Sequence, residues 1–221
     1  MDFSWPLIWQ SLPVLLSGAW MTVKLTTLAV GMGFIIGTFA GLGRIAHSPL
    51  WRGVASVYVD FIRGTPLLVQ IFLVYMGLPQ IIGRPIDPYL AGVAALSINS
   101  GAYVAEIVRA GIQSVDRGQM EAARSLGLSY GGAMRFIILP QAFKRIIPPL
   151  GNEFIAMLKD SSLVSAISLE ELLRKGQLII GRTLRPFEIL ITVALIYLVM
   201  TLAISRLVAW SERRLKVQQR L

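Results

Sequence analysis

The stretch LTTLAVGMGFIIGTFAGLG, residues 25–43, carries no charged side chain over its whole length. A helix needs about 17–25 predominantly apolar residues to cross the hydrocarbon core of a bilayer. The chain as a whole agrees, because 55% of its 221 residues are hydrophobic, only 15% are charged and its mean hydropathy is +0.66. A water-soluble domain of this length is less apolar, so the sequence predicts a membrane protein.

Four further apolar stretches predict membrane-spanning helices, at residues 64–83, 88–105, 146–158 and 189–205. The stretch at 146–158 is short but extends backward through FIILPQAF, and Pro140, Pro148 and Pro149 interrupt it. We therefore expect an all-α polytopic membrane protein with about five transmembrane helices, built as a single transmembrane domain over residues 1–221.

The distribution of lysine and arginine predicts the orientation of these helices. Five spans place the termini on opposite sides, and thirteen basic residues flank the side of the C-terminus against six on the side of the N-terminus. Because cytoplasmic loops carry the excess of Lys and Arg, we expect a cytoplasmic C-terminus and an external N-terminus. The net charge of +9 is explained by this topology, and we expect membrane lipid around the chain and no nucleic-acid partner.

The composition also limits the chemistry of the chain. It has no cysteine and a single histidine, His47, so thiolate and multi-histidine metal sites are excluded. No G-x-x-x-x-G-K-[ST] motif occurs, so the chain has no P-loop for a nucleotide. We expect no catalytic residue, no metal site and no cofactor held by this chain.

The longest predicted cytoplasmic segment, residues 107–140, is amphipathic and contains the stretch GQMEAARSLG. This stretch predicts a short helix that ends at Gly127, with Glu121 in its first turns and Arg124 near its end, as the helix dipole favours. The helix pattern alone leaves two interpretations open, a docking element or a structured connection between spans.

The same segment carries a recognisable motif. Glu121, Ala122 and Ala123 are followed after three residues by Gly127, and after nine more by Ile-Ile-Leu-Pro at residues 137–140. This pattern resembles the EAA motif of ABC importer permeases. The stretches YVDFIRGTPLLVQ, NSGAYVAEIVRAGI and PPLGNEFIAMLKDSSL extend the resemblance over nearly the whole chain, to permeases for polar amino acids of the histidine, arginine and glutamine type.

The resemblance implies partners and a location. In that family the EAA loop forms coupling helices that sit in a groove of the ATPase subunit, so Glu121, Ala122, Ala123 and Gly127 are expected to contact it. The family also implies that the ATPase subunits bind ATP and Mg, that a second permease chain, identical or related, completes the unit, and that an extracytoplasmic binding protein delivers the amino acid. The expected location is a bacterial inner membrane.

Two carboxylates, Glu153 and Asp160, lie in and at the end of the fourth apolar run. Residues seven apart in a helix share one face, about 10.5 Å apart along its axis. An ionisable group inside a bilayer costs on the order of 3 kcal/mol on insertion scales, which favours a bundle interior or a wet cavity. Two stacked carboxylates attract a cation, and arginine, lysine and histidine carry positive charge on both the amino group and the side chain.

The residues alone leave a structural interpretation equally open. Glu153 then pairs with Lys24 or Arg63, and Asp160 caps the turn that follows it. The family resemblance favours substrate contact, because the corresponding stretch lines a mid-membrane pocket in that branch.

Gly64 and Thr65 precede Pro66 in an order typical of a broken span. The backbone N–H groups at the start of its second half are suited to the carboxylate of the substrate. A plain proline kink, with Arg63 ion-paired or reaching the interface, is the alternative.

Ser97 and Asn99 in the third span are further candidates for substrate contact, although such side chains commonly bond between transmembrane helices. The sequence thus favours a non-enzymatic permease subunit of an ATP-driven importer for polar, above all basic, amino acids, with alternating access to a mid-membrane pocket. A permease for glutamine or another polar amino acid is the alternative within the family. An ATPase-independent secondary transporter or channel, or a membrane scaffold, is the alternative outside it.

Overall fold

The computed structural model describes residues 3–217, with side chains as far as residue 214, and contains ten α-helices and no strand within that range. The helices are α1 (Trp5–Arg44), α2 (Pro49–Arg63), α3 (Leu67–Phe72), α4 (Leu78–Ile82), α5 (Pro88–Gln113), α6 (Arg117–Ser125), α7 (Tyr130–Ala133), α8 (Leu139–Asp160), α9 (Leu172–Thr183) and α10 (Pro186–Val217). The π-helical turn Leu73–Gly77 joins α3 to α4, and another, Met134–Ile138, joins α7 to α8. A 3-10 turn, Ser161–Ile167, follows α8.

Several of these helices have the length and composition of membrane spans. Three are long and apolar enough on their own to cross a membrane, namely α1, α5 and the segment Pro186–Arg214 of α10. The helix α2 and the run Leu67–Ile82 meet at a bend of 105°. Taken together they are also long and apolar enough, which gives a fourth candidate. The predicted span at 146–158 is helical and lies in α8, but that helix carries charges at residues 144, 145, 153, 159 and 160. The all-helical membrane fold predicted from the sequence is confirmed.

The ends of the helices differ from the limits of the apolar stretches. The first predicted span begins after Lys24, whereas α1 begins at Trp5 and continues through Pro13 and Lys24 to Arg44. The third ends before Glu106, whereas α5 continues to Gln113. Helix ends are set by capping and backbone geometry rather than by the first charged side chain.

α1 and α5 pack closely at the centre of the fold along a seam of small residues. Gly33, Gly37 and Gly41 recur every fourth residue on α1 and are buried. A Cβ atom at Gly37 would lie 2.6 Å from the carbonyl oxygen of Gly101, and one at Gly41 would lie 2.6 Å from that of Ala105. Small residues at this spacing allow transmembrane helices to approach closely, and here they fix α1 against the helix that carries Asn99, Ser100 and Glu106.

The first half of α1 packs against α9 and α10 around Leu15, Leu172 and Ile189. A fully buried carboxylate, Glu171, begins α9. It accepts hydrogen bonds from the backbone N–H groups of the first turn and from the Tyr197 hydroxyl, 2.8 Å away. These bonds satisfy both oxygens of Glu171, so this carboxylate caps a helix and links it to α10.

Candidate functional site

Glu153 lies on α8 and faces α5, where it is only 8% exposed. The Ser100 hydroxyl donates a hydrogen bond to Glu153 Oε1 at 3.0 Å. Among the described side chains, no lysine or arginine nitrogen lies within 4.0 Å of this carboxylate. The alternative in which Glu153 pairs with Lys24 or Arg63 is therefore wrong, and Arg63 instead approaches Glu106.

Asp160 is the last residue of α8, two turns beyond Glu153, and it is exposed. It directly precedes the 3-10 turn, but its side chain accepts no capping hydrogen bond. The alternative in which Asp160 serves as a cap is therefore wrong as well. Since α8 is helical from Glu153 to Asp160, the two carboxylates share a face and lie about 10.5 Å apart along the axis.

Gly64 and Thr65 lie in the 105° corner between α2 and α3. The Gly64 N–H closes the last turn of α2 on the carbonyl of Asp60 at 2.9 Å. The Thr65 hydroxyl donates to the carbonyl of Phe61 at 3.0 Å. The helix break predicted from this stretch is confirmed, and the binding of a substrate carboxylate at the corner stays a prediction.

Gln70, a residue that the sequence analysis does not single out, fastens this corner. Its buried side chain donates from Nε2 to the carbonyl of Ile62 at 2.7 Å, to that of Thr65 at 3.1 Å and to the Thr65 hydroxyl at 2.9 Å. Its Oε1 accepts from Asn99 Nδ2 at 2.9 Å. The one sequence signal for this role is an amide side chain inside an otherwise apolar helical run.

Asn99 and Ser100 are consecutive on α5, so this helix connects the corner to the carboxylate. Asn99 donates a hydrogen bond to Gln70 on α3, and Ser100 donates one to Glu153 on α8. Ser97 is equally buried, but its hydroxyl donates to the carbonyl of Val93 in its own helix at 2.6 Å. Through the consecutive residues Asn99 and Ser100, α5 thus contacts both the corner and Glu153 on α8, and Ser97 lies outside these bonds. Substrate contact stays a prediction for Ser97, Asn99 and Glu153.

A cluster of ionised side chains lies further along α5. Glu106 accepts from Arg44 at 2.6 Å and from two nitrogens of Arg109 at 2.7 and 3.2 Å, and Arg63 lies 3.6 Å away. Arg44 also lies 3.2 Å from Asp60 on α2. Of the two positions that the kink alternative allowed for Arg63, the ion-paired one is observed. The cluster ties the ends of α1 and α2 to α5.

The predicted coupling helix is α6. It begins behind Asp116, whose carboxylate accepts the N–H of Gly118 at 2.7 Å, and it ends at Ser125. Gly127 has a φ of 87°, a backbone conformation that other residues rarely adopt. The helix end predicted at Gly127 is confirmed, and its cause is a left-handed glycine after the last turn.

The two sides of α6 differ in exposure. Ala123 is buried against the rest of the chain, whereas Glu121 and Ala122 are exposed. Leu126, at the end of the helix, is 84% exposed. The exposed residues of this part of the chain thus include two charged ones, Glu121 and Arg124, and two apolar ones, Ala122 and Leu126.

The sequence of this chain is similar to those of known transport permeases. A model of the family described as "Binding-protein-dependent transport system inner membrane component" matches residues 33–217. The glutamine transport system permease protein of Escherichia coli (strain K12) is 42% identical over 98% of this chain and 100% of its own length. The arginine transport system permease protein of Bacillus subtilis (strain 168) is 40% identical over 98% of both chains.

Solved structures extend the likeness to three dimensions. A crystal structure of an amino acid ABC transporter with histidines has a chain that superposes with a TM-score of 0.93 at 51% identity, covering 97% of this chain and 100% of that one. A methionine ABC transporter in an inward-facing conformation shares the fold, with a TM-score of 0.80 at 22% identity. With a family model matched over most of its length and full-length amino acid permeases among its relatives, the chain belongs to the family of binding-protein-dependent transport system inner membrane components.

Proposed function

We propose that this chain is the permease subunit of an ATP-driven amino acid importer that prefers basic substrates. The observation that carries the preference is Glu153, a buried carboxylate with one hydrogen bond and no basic side chain within 4.0 Å among the described residues. A buried ionised group without a counter-charge is unfavourable, so a ligand that brings a cation stabilises the site. Asp160 on the same face of α8 suits the second positive charge of a basic amino acid.

The partners follow from the surfaces of the chain and from its family. α6 and Gly127 dock on an ATPase subunit on the cytoplasmic side, and that subunit binds ATP and Mg. α5 ends at Gln113 and α6 begins at Arg117, so the two helices follow each other closely in the chain. A displacement of α6 therefore moves α5, the helix that carries Asn99 and Ser100. A second permease chain, identical or related, completes the transmembrane unit, and a binding protein delivers the amino acid from the outer side of a bacterial inner membrane.

A neutral amide substrate is the second candidate, since a glutamine permease is among the relatives at 42% identity. In that case Glu153 accepts a hydrogen bond from the amide of the substrate rather than pairing with a cation. The two candidates differ in charge compensation, because a guanidinium or ammonium group neutralises the buried carboxylate, whereas an amide leaves its charge unpaired.

Uptake by proteoliposomes that contain the permease, its ATPase and its binding protein tests the proposal. Labelled arginine, glutamine and glutamate are supplied in turn, with and without ATP inside the vesicles. We expect arginine uptake that requires ATP and exceeds uptake of the other two. Uptake that proceeds without ATP would indicate a secondary transporter, and a preference for glutamine would identify the amide as the substrate group.

A further inference from the structure

We infer that Ser100 is a positioning residue that sets substrate selectivity by holding the Glu153 carboxylate in one orientation. The inference rests on the proposed function, because it concerns how the same site distinguishes a cationic substrate from a neutral one. Ser100 is fully buried on α5, and its hydroxyl oxygen lies 3.0 Å from Glu153 Oε1 on α8.

The bond that Ser100 makes differs from the usual bond of a helical hydroxyl in this chain. The hydroxyls of Ser97, Thr38 and Thr192 donate to the carbonyl four residues earlier in their own helices. Such bonds satisfy the hydroxyl locally and need no partner helix. Ser100 instead donates to a residue 53 positions further along the chain, so its hydroxyl is directed at the carboxylate of the site.

The close approach of α1 holds the Ser100 side chain in this direction. A Cβ atom at Gly33 would lie 2.8 Å from Ser100 Cβ and 2.9 Å from Ser100 Oγ. Gly33 therefore forms the wall behind Ser100, and α8 lies in front of it. In this position the hydroxyl has room only because residue 33 is glycine.

The hydrogen bond leaves one carboxylate oxygen for a ligand. Oε1 of Glu153 is occupied by Ser100, and among the described residues no protein donor bonds to Oε2. A carboxylate that is already oriented loses less rotational freedom when a guanidinium or ammonium group binds. Removal of the hydroxyl is expected to weaken the binding of a cationic substrate about two- to tenfold, the equivalent of the cost of ordering one side chain on binding.

Direct binding to the purified permease–ATPase complex, without the binding protein, tests the inference. We expect Ser100→Ala to raise the Kd for arginine about two- to tenfold and to change the Kd for glutamine little. In a Glu153→Gln background the same substitution is expected to have no further effect on arginine. Thr192→Val is the matched control, since it removes a buried hydroxyl that bonds within its own helix.

Each outcome decides between the two claims. Equal losses for arginine and glutamine, or an undiminished effect in the Glu153→Gln background, would overturn the role of Ser100. If Glu153→Gln lowers the arginine preference and Ser100→Ala does not, the inference falls and the proposed function stands. If Glu153→Gln leaves the preference unchanged, both fall. Gly33→Ala, which displaces Ser100 without removing its hydroxyl, is expected to reduce arginine binding in the same direction, and co-elution with the ATPase verifies that each variant is folded.

Discussion

Asn99 Nδ2 lies 2.9 Å from Gln70 Oε1, and this hydrogen bond fastens the corner between α2 and α3 to α5. Both side chains are buried. The Nε2 atom of Gln70 meanwhile satisfies the carbonyls of Ile62 and Thr65, which the break in the helix leaves without helical donors. Polar side chains thus replace the backbone bonds that a continuous helix would supply, as irregular backbone within a membrane protein requires.

Replacing Gln70 with leucine is expected to destabilise the protein. Leucine fills a similar volume but makes no hydrogen bond, so Asn99 and the carbonyls of the corner lose their partner. Each buried polar group left unsatisfied lowers the stability by about 1–3 kcal/mol. The measurement is the thermal unfolding midpoint of the purified complex in detergent. Gln80→Leu, at an exposed position on α4, is the control, and a midpoint for Gln70→Leu equal to that of the control would refute the role of this network.

Glu106→Gln is expected to lower stability more than Asp60→Asn. Glu106 is contacted by Arg44, Arg63 and Arg109, and its side chain is 19% exposed, whereas Asp60 has one such contact and is 65% exposed. Loss of the Glu106 charge leaves several arginines to repel one another, at a cost of about 1–3 kcal/mol. Unfolding midpoints at low and high salt measure the effect, and equal losses for the two variants would show that Glu106 is not the centre of the cluster.

Gly127→Val is expected to uncouple ATP hydrolysis from transport. The φ of 87° at this position is a strained conformation for a β-branched residue, at about 1–3 kcal/mol, so the end of α6 must change shape. ATP hydrolysis and uptake are measured in the same proteoliposomes, with Gly131→Ala as the control because a Cβ atom there meets nothing within 4 Å. Uptake at the wild-type rate by Gly127→Val would contradict a docking role for this loop.

Leu126→Cys and Leu184→Cys are expected to react with an impermeant thiol reagent from opposite sides of the membrane. The two leucines are 84% and 83% exposed, and the chain has no cysteine of its own. The predicted topology places Leu126 in the cytoplasm and Leu184 outside. Labelling of Leu126→Cys from outside intact cells would contradict the predicted topology. The C-terminus is predicted on the same side as Leu126, and the N-terminus on the same side as Leu184. Residues 1–2 and 218–221 lie outside the described part of the chain.

Local sequence features predicted local structure well. The glycine at 127 predicted the end of α6, and the Gly-Thr-Pro order at 64–66 predicted the break between α2 and α3, because turn chemistry acts within a few residues. The shared face of Glu153 and Asp160 followed from helical spacing alone. Composition was less informative for α8, since its charged residues at 144, 145, 153, 159 and 160 remove this helix from the apolar class.

Contacts between distant segments could not be obtained from the sequence. Nothing near Gln70 indicates that it meets Asn99, and nothing near Ser100 indicates that it meets Glu153, because both contacts depend on how α3 and α8 pack against α5. The partner of Arg63 likewise needed the structure, since Glu106 lies 43 positions away on another helix. Tertiary packing decides such pairs, and spacing along one helix does not reveal them.

The Kd values of arginine and glutamine for the permease–ATPase complex, compared between the wild type and Glu153→Gln, test the central claim most directly. The binding protein is omitted because it would impose its own selectivity. We predict that Glu153→Gln weakens arginine binding roughly ten- to a hundredfold, the equivalent of about 1.5–3 kcal/mol for one charge-assisted hydrogen bond, and that it changes glutamine binding little. Unchanged binding of both substrates, accompanied by a lower unfolding midpoint, would show that Glu153 is a structural carboxylate.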